Sequence, residues 1–225
     1  MNNQLKLLYK TGAIAAWISL ALIPVQIIVF FIWPPPLNVQ GFFDLFSKNK
    51  IIGLLNLDLL YMITVILLGL LYVVFHEILS TQKKSLSLLA LFTGLIGVAA
   101  YFSSNIGFEV MSLAQRYELS SMENEQSQLI AAGEALLATY KGTAFNAYYV
   151  LNGISLILFS LAMIGHDAFG KKIGFTGLIA GTLMLVPSTA GNVGLVFAFL
   201  SLIPTSIWFV MIAMRLHKIS KRSIS

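Results

Sequence analysis

The chain is dominated by apolar runs that water-soluble packing has no use for. A helix that spans a bilayer needs about 20 mainly apolar residues. Six segments meet that length: about 12–33, 53–78, 86–108, 144–165, 173–190 and 193–214. Only 10% of the 225 residues are charged and 58% are hydrophobic, whereas a soluble domain carries roughly 25% charged residues. Such a chain cannot cover a water-facing surface, so its solvent is largely lipid. The expected fold is all-α, a polytopic six-helix transmembrane bundle forming a single domain over residues 1–225. The first run is too long for a signal peptide, holds Trp17 and Trp33, and ends in "WPPPLN" without a cleavage pattern. Pro24 is expected to bend it.

Charge placement gives the orientation. With the N-terminus inside, the cytoplasmic segments hold ten cations: Lys6, Lys10, Lys83, Lys84, Lys171, Lys172, Arg215, Lys218, Lys221 and Arg222. The outer segments hold four: Lys48, Lys50, Arg116 and Lys141. Every inner loop contributes a pair, as the positive-inside bias requires, and both termini fall in the cytoplasm. The net charge of +5 therefore reads as topology and contact with anionic membrane lipid, and nucleic acid is excluded as a partner. The absence of cysteine removes disulfides, thiolate metal sites and cysteine nucleophiles. No cofactor motif is present.

Two outer segments are not spans. In "PPPLNVQGFFDLFSKNK" (34–50), Phe42, Phe43 and Phe46 stand beside Asp44, which suits a stretch lying in the headgroup layer. Residues 120–142 read as an amphipathic helix. Ser120 and Glu123 have capping-box spacing, Lys141–Gly142 makes a stop, and Leu129, Ala132, Leu136 and Tyr140 share one face. This helix is expected across the outer mouth of the bundle. The "VPSTAGNVG" stretch (186–194) is expected as a tight turn between the last two spans, with Ser188, Thr189 and Asn192 satisfying freed backbone groups. Gly177 and Gly181, four apart, form a small-residue face for close helix packing or for a homodimer.

Ionisable and amide side chains inside spans are costly against lipid and should face the bundle. At 100° per residue the second span aligns Asp58, Tyr61, Gly69, Tyr72 and His76. The third aligns Gly97, Tyr101, Asn105 and Glu109, and the fourth aligns Asn146, Tyr149 and Gly153 with Asn152 on the flank. By depth, Ser188 and Asn192 fall in the outer half or at its boundary, together with six candidates for a ligand site: Asn56, Asp58, Asn105, Glu109, Asn146 and Asn152. With Tyr61, Tyr101 and Tyr149 these six are the candidate ligand-binding set. The opposing reading makes Asp58 an interfacial or capping acid and Glu109 a solvated helix end. At the inner boundary lie His76–Glu77, His166–Asp167 and His217, which account for all three histidines. Histidine and carboxylate can hold zinc, but "HEILS" is not H-E-x-x-H. His76, Glu77, His166 and Asp167 are therefore metal candidates without a metal motif.

The segments "YKTGAIAAWISLALIP", "GKKIGFTGLIAGTLMLVPS" and "LSLIPTSIWFVMIAMRLHK" resemble the corresponding parts of a bacterial family of small membrane proteins classified as a domain of unknown function. That resemblance implies a six-helix fold in the bacterial inner (plasma) membrane and supplies no catalytic residues. The acidic outer segment 111–142 departs from the pattern. The leading expectation is a non-enzymatic protein that binds, and can translocate, a small amphiphilic or lipid-like ligand in an outward-facing polar cavity. Two other classes compete. One is an intramembrane metal-dependent hydrolase or transferase built on the inner His/acid residues, and the other is a structural subunit docking a partner through its outer helix.

Overall fold

In the computed structural model, which describes residues 3–222, these residues form helices and no strand. In chain order they are α1 (Asn3–Ile32), α2 (Val39–Lys48), α3 (Lys50–Asn56), α4 (Leu59–Ser104), α5 (Gly107–Leu119), α6 (Glu123–Tyr140), α7 (Thr143–Met163), α8 (Lys171–Met184) and α9 (Gly191–Arg222). Four helical stretches, Leu5–Ile32, Leu59–Leu119, Glu123–Met163 and Gly191–Lys221, are long and apolar enough to cross a membrane, which marks a membrane protein. Their outward faces carry exposed Ile28, Phe31, Ile66, Phe92 and Phe199.

α4 is two antiparallel arms. Its helical backbone breaks at Lys83 (φ −134°, ψ 46°), and the chain folds back on itself there. Across the hairpin the Tyr72 ring lies against Gly94, His76 Nδ1 is 3.1 Å from the Ser87 hydroxyl, and the Tyr101 hydroxyl reaches the Asp58 carbonyl. Each arm is roughly 30–36 Å long at 1.5 Å per residue, enough to match a bilayer core.

α1, the α4 hairpin, α7, α8 and α9 close into a ring, each packed on its neighbours. The core they enclose is aromatic at its centre, where Phe75 meets Phe159, Phe169 and Trp208 edge-on. Glycine sets the spacing on one side of this ring. A Cβ added to Gly153 would stand 3.0 Å from the Gly181 carbonyl, and one added to Gly181 would stand 3.0 Å from the Gly153 carbonyl. α7 and α8 therefore touch backbone to backbone. Gly177 is seated against Ser160 and Trp208. The Gly177/Gly181 face is thus used inside the chain and is not free for a homodimer.

The short helices α2, α3, α5 and α6 form a second layer over the end of the bundle opposite Lys83. Val39, Phe42, Phe43, Phe46, Val110 and Leu129 are buried together there. This corrects the expectation that the 34–50 aromatics lie among headgroups: they turn inward onto α5 and α6, because an amphipathic helix with a protein partner buries its apolar face against it. Two further expectations change. Met122, not Ser120, is the N-cap of α6, and the Ser120 hydroxyl donates to Glu125 (2.7 Å) instead of forming a capping box. Gly133, not Ala132, lies on the buried face, because only a residue without a Cβ fits against Val39.

The expected run 53–78 is interrupted at Leu57–Asp58, the run 86–108 stops at Ser104 with α5 beginning after it, and α8 ends at Met184. Pro24 and Pro204 sit inside continuous helices.

The backbone contact of α7 with α8 leaves no room for a branched side chain. Gly181→Val is expected to cost about 1–3 kcal/mol through overpacking, whereas Ile179→Val on the exposed face should stay within about 0.5 kcal/mol. Thermal denaturation in detergent measures both, and equal effects would refute the tight contact.

Candidate functional site

The second layer and the bundle meet at two helix breaks held side by side. α3 is started by Asn49, whose side chain accepts from the amides of Ile51 and Ile52, and it ends at Asn56. Asp58 then takes a left-handed conformation (φ 63°, ψ 28°), one that aspartate and asparagine tolerate better than other side chains. The second break, at Asn105 and Ile106, separates α4 from α5. Asn105 stitches the two: its Nδ2 donates to the Leu57 carbonyl (3.2 Å) and its Oδ1 accepts from the Gly107 amide (3.3 Å).

This geometry presents the half-buried Asp58 carboxylate towards the end of α6, where it accepts a hydrogen bond from the Tyr140 hydroxyl. Below it the tyrosines interlock. Tyr61 and Tyr148 share a hydroxyl–hydroxyl bond of 2.7 Å, and the Tyr101 ring stands edge-on to Tyr61 at 5.3 Å. Deeper, Asn152 accepts from the Tyr72 hydroxyl (2.6 Å) and donates to the Tyr148 carbonyl (3.1 Å).

Two neighbouring spaces lie beside this network. A vestibule of about 930 Å³ is lined by Asn56, Asp58, Tyr140, Lys141, Ser188 and Asn192, among others. Beneath it a chamber of about 350 Å³ lies between α1, α4, α7 and α9, with walls of Leu, Ile, Phe and Met side chains. Gln26, Phe30, Tyr61, Tyr149 and Leu195 line both. The whole is a cavity with a polar mouth and an apolar interior, the usual form of a site for an organic ligand.

Of the candidate residues, Asn56, Asp58, Tyr61 and Tyr149 line the vestibule, and Tyr61, Tyr149 and Asn152 line the chamber. Tyr101 stands behind the wall, supporting Tyr61, and Asn105 works on the backbone. Asn146 bonds to Thr189 and to the Gly142 carbonyl and faces a separate shallow groove. Glu109 is exposed on α5 and does not line the cavity. Helical phase placed it with Tyr101 and Asn105, but the break at Asn105 and Ile106 resets that phase. Gln26, Tyr140 and Lys141 belong to the site and escaped the sequence reading. Gln26 left a signal, as the one amide within the 12–33 run. Tyr140 and Lys141 left none, since nothing local says that the end of α6 meets Asp58.

At the opposite end, among the described residues, no group of three or more His, Asp or Glu side chains lies close enough to hold a metal ion. His76 pairs with Ser87. His166 uses Nδ1 to accept from the Ala168 amide (3.1 Å) and places Nε2 3.4 Å from the Thr81 hydroxyl. Asp167 accepts from Gln82 (3.1 Å), and Arg215 donates to the Asp167 and Ala168 carbonyls. These residues tie the loop between α7 and α8 to its surroundings. On α6, Leu129 and Tyr140 are likewise engaged within the chain.

Asp58 lies ahead of α4, outside the four long apolar stretches. Burial pushes its carboxyl up to about 6, against the opposing pull of the Tyr140 hydroxyl and the Lys141 ammonium. A carboxyl with a raised folded pKa keeps its proton in the native state after the unfolded chain has lost it. Its contribution costs stability as pH climbs through that interval, at about 1.4 kcal/mol per unit, and is constant above it. The melting temperature of wild type relative to Asp58→Asn is therefore expected to fall between about pH 4 and 6 and then level off. A difference independent of pH would mean that the carboxyl is solvated.

A family described as a domain of unknown function, DUF4386, matches residues 7–217, and the chain belongs to that family. No curated protein and no solved structure matches it.

Proposed function

We propose that this protein crosses the bacterial inner membrane six times, with both termini in the cytoplasm, and binds a small amphiphilic or lipid-like ligand in a cavity open to the outside. The crossings are α1, the two arms of α4, α7, α8 and α9. The Lys83–Lys84 and Lys171–Lys172 pairs at one end of the bundle support that orientation. α8 is short for a span, at roughly 21 Å, and the irregular chain from Leu185 to Ala190 completes the crossing. Such backbone is tolerated at membrane depth where it lines a water-filled space, and Ser188 and Thr189 do line the vestibule.

The observation that carries this reading is that a vestibule whose lining includes Asn56, Asp58 and Lys141 shares wall residues with a mainly apolar chamber. An amphiphile has the same division: a head that needs hydrogen bonds and a tail that does not. Asp58 orients the head, Asn56, Tyr61 and Tyr149 surround it, and Asn152 marks the floor where the polar lining ends. α6, bound through Tyr140 to Asp58, gates the mouth.

The test is a thermal-shift series on detergent-purified protein against amphiphiles that differ in head group. A cognate ligand at about 100 times its Kd is expected to stabilise wild type by about 2.7 kcal/mol. Asp58→Asn, which keeps the left-handed backbone and a partner for Tyr140, should stay folded and lose most of that gain. Failure of every amphiphile to stabilise wild type would sink the proposal.

A further inference from the structure

The vestibule is short of hydrogen-bond donors in one place. Gln26 donates its Nε2 to the Leu55 carbonyl (3.3 Å) and Asn56 donates its Nδ2 to the Ile52 carbonyl (3.1 Å). Those bonds fix the amide orientations, since flipping either would set oxygen against oxygen. The free atoms, Gln26 Oε1 and Asn56 Oδ1, are buried without a partner, and Asn56 as a whole is only 3% exposed. Buried acceptors left unpaired are costly and few. The Asp58 carboxylate, two residues from Asn56, holds one phenolic donor for its two oxygens. All three side chains line the vestibule.

Resting on the amphiphile reading above, we infer that the ligand is a single-chain primary amine, its protonated head at Gln26, Asn56 and Asp58 and its tail in the chamber between α1 and α9. An ammonium brings three donors and no acceptor, which is what these three acceptors of one lining lack. A carboxylate or phosphate head brings further acceptors and finds one cationic lining residue, Lys141, at the C-cap of α6. The chamber's about 350 Å³ holds on the order of ten methylenes, taking about 30 Å³ for each small group, the share of a water in the liquid.

The chamber reaches the lipid-facing surface. Ile27 of α1 and Phe199 of α9 line it and are 53% and 69% exposed. Near the basic end α1 and α9 pack closely, with Gly12 against Leu216. Pro24 and Pro204 lie equally far along the two helices from that contact, at the level of the chamber. A proline inside a helix removes a backbone bond and loosens it there. The tail therefore enters sideways from the outer leaflet between these two helices, while the head slides up to the acceptors.

Fluorescence decides the matter, because the chain has three tryptophans. Trp208 lines the chamber, whereas Trp17 on α1 and Trp33 just after it are 45% and 40% exposed. In a Trp17→Phe/Trp33→Phe protein, reconstituted in vesicles of unbrominated lipid, a brominated long-chain primary alkylamine should quench Trp208 saturably. The same brominated chain with a carboxylate head should not. Ala198→Phe, which fills the chamber wall, should abolish quenching. Asp58→Asn and Gln26→Leu should each weaken it about tenfold or more, as expected when a charged hydrogen bond is lost. A single cooperative melting transition in each variant establishes that it folds.

Equal quenching by the carboxylate overturns the head assignment. Stabilisation by the amine without quenching overturns the placement of the tail, and quenching indifferent to Asp58→Asn and Gln26→Leu overturns the acceptor site. In each case stabilisation by some amphiphile leaves the broader binding reading standing. Stabilisation by none removes both. A short-chain amine that binds as tightly as the long one would identify a free amine, not a membrane lipid, as the source.

Discussion

Everything distinctive about this protein follows from the side chain of Asn105 holding two interrupted helices together. A helix that breaks near a membrane frees backbone amides and carbonyls, and these must find partners before they can be buried. Asn105 supplies one donor and one acceptor across the gap between Leu57 and Gly107. With the breaks fixed, Asp58 is set at a left-handed corner whose carboxylate faces away from the hairpin. The second layer can then pack as an independent cluster on the end of the bundle. Continuous helices through Leu57 and Ile106 would leave neither a floor for that layer nor a vestibule beneath it.

The bundle is built asymmetrically around this corner. On one side small residues bring helices into backbone contact: Gly94 and Gly97 admit Tyr72 and Asn152, and Gly153 meets Gly181. In lipid, where tails are as apolar as leucine, such close packing is a main source of helix association. On the other side α1 and α9 carry prolines and large aliphatic side chains, and the chamber lies between them. The rigid glycine side and the open proline side meet at Trp208, which contacts Gly177 and lines the chamber. A cavity placed there can change shape without disturbing the tighter half of the molecule.

The polar network has a graded character. At the mouth, Asp58 and Tyr140 join two different layers through one charged hydrogen bond. Further down, Tyr61, Tyr148, Tyr72 and Asn152 satisfy one another almost completely. Around Asn152 the chamber walls are mainly apolar, with Ser201 and Thr205 among them. Two unpaired amide oxygens, those of Gln26 and Asn56, belong to residues that line the vestibule with Asp58.

Much of this was legible in the sequence, for definable reasons. Membership of the membrane class follows from apolar run length and scarce charge, properties of the chain that no folding can change. The helical character of 123–140 and the tie of Gly177 and Gly181 to close packing follow from helical periodicity and small-residue spacing, which are local rules. What the sequence could not supply was anything that depends on interruption or on distant partners. A helical wheel drawn through Asn105 carried Glu109 into the cavity, because the break that turns it out to solvent is stabilised by Leu57, 48 residues away. The aromatics of 42–46 read as interfacial until α5 and α6 covered them. Gln26 and Tyr140 joined the site only when α1 and α6 were brought to the same corner. The sequence by itself decided the solvent, the elements and the depth of each polar group, since these depend on residues near in the chain. The tertiary structure decided which of those groups meet, since a shared cavity is a property of separate helices and of the breaks that aim them.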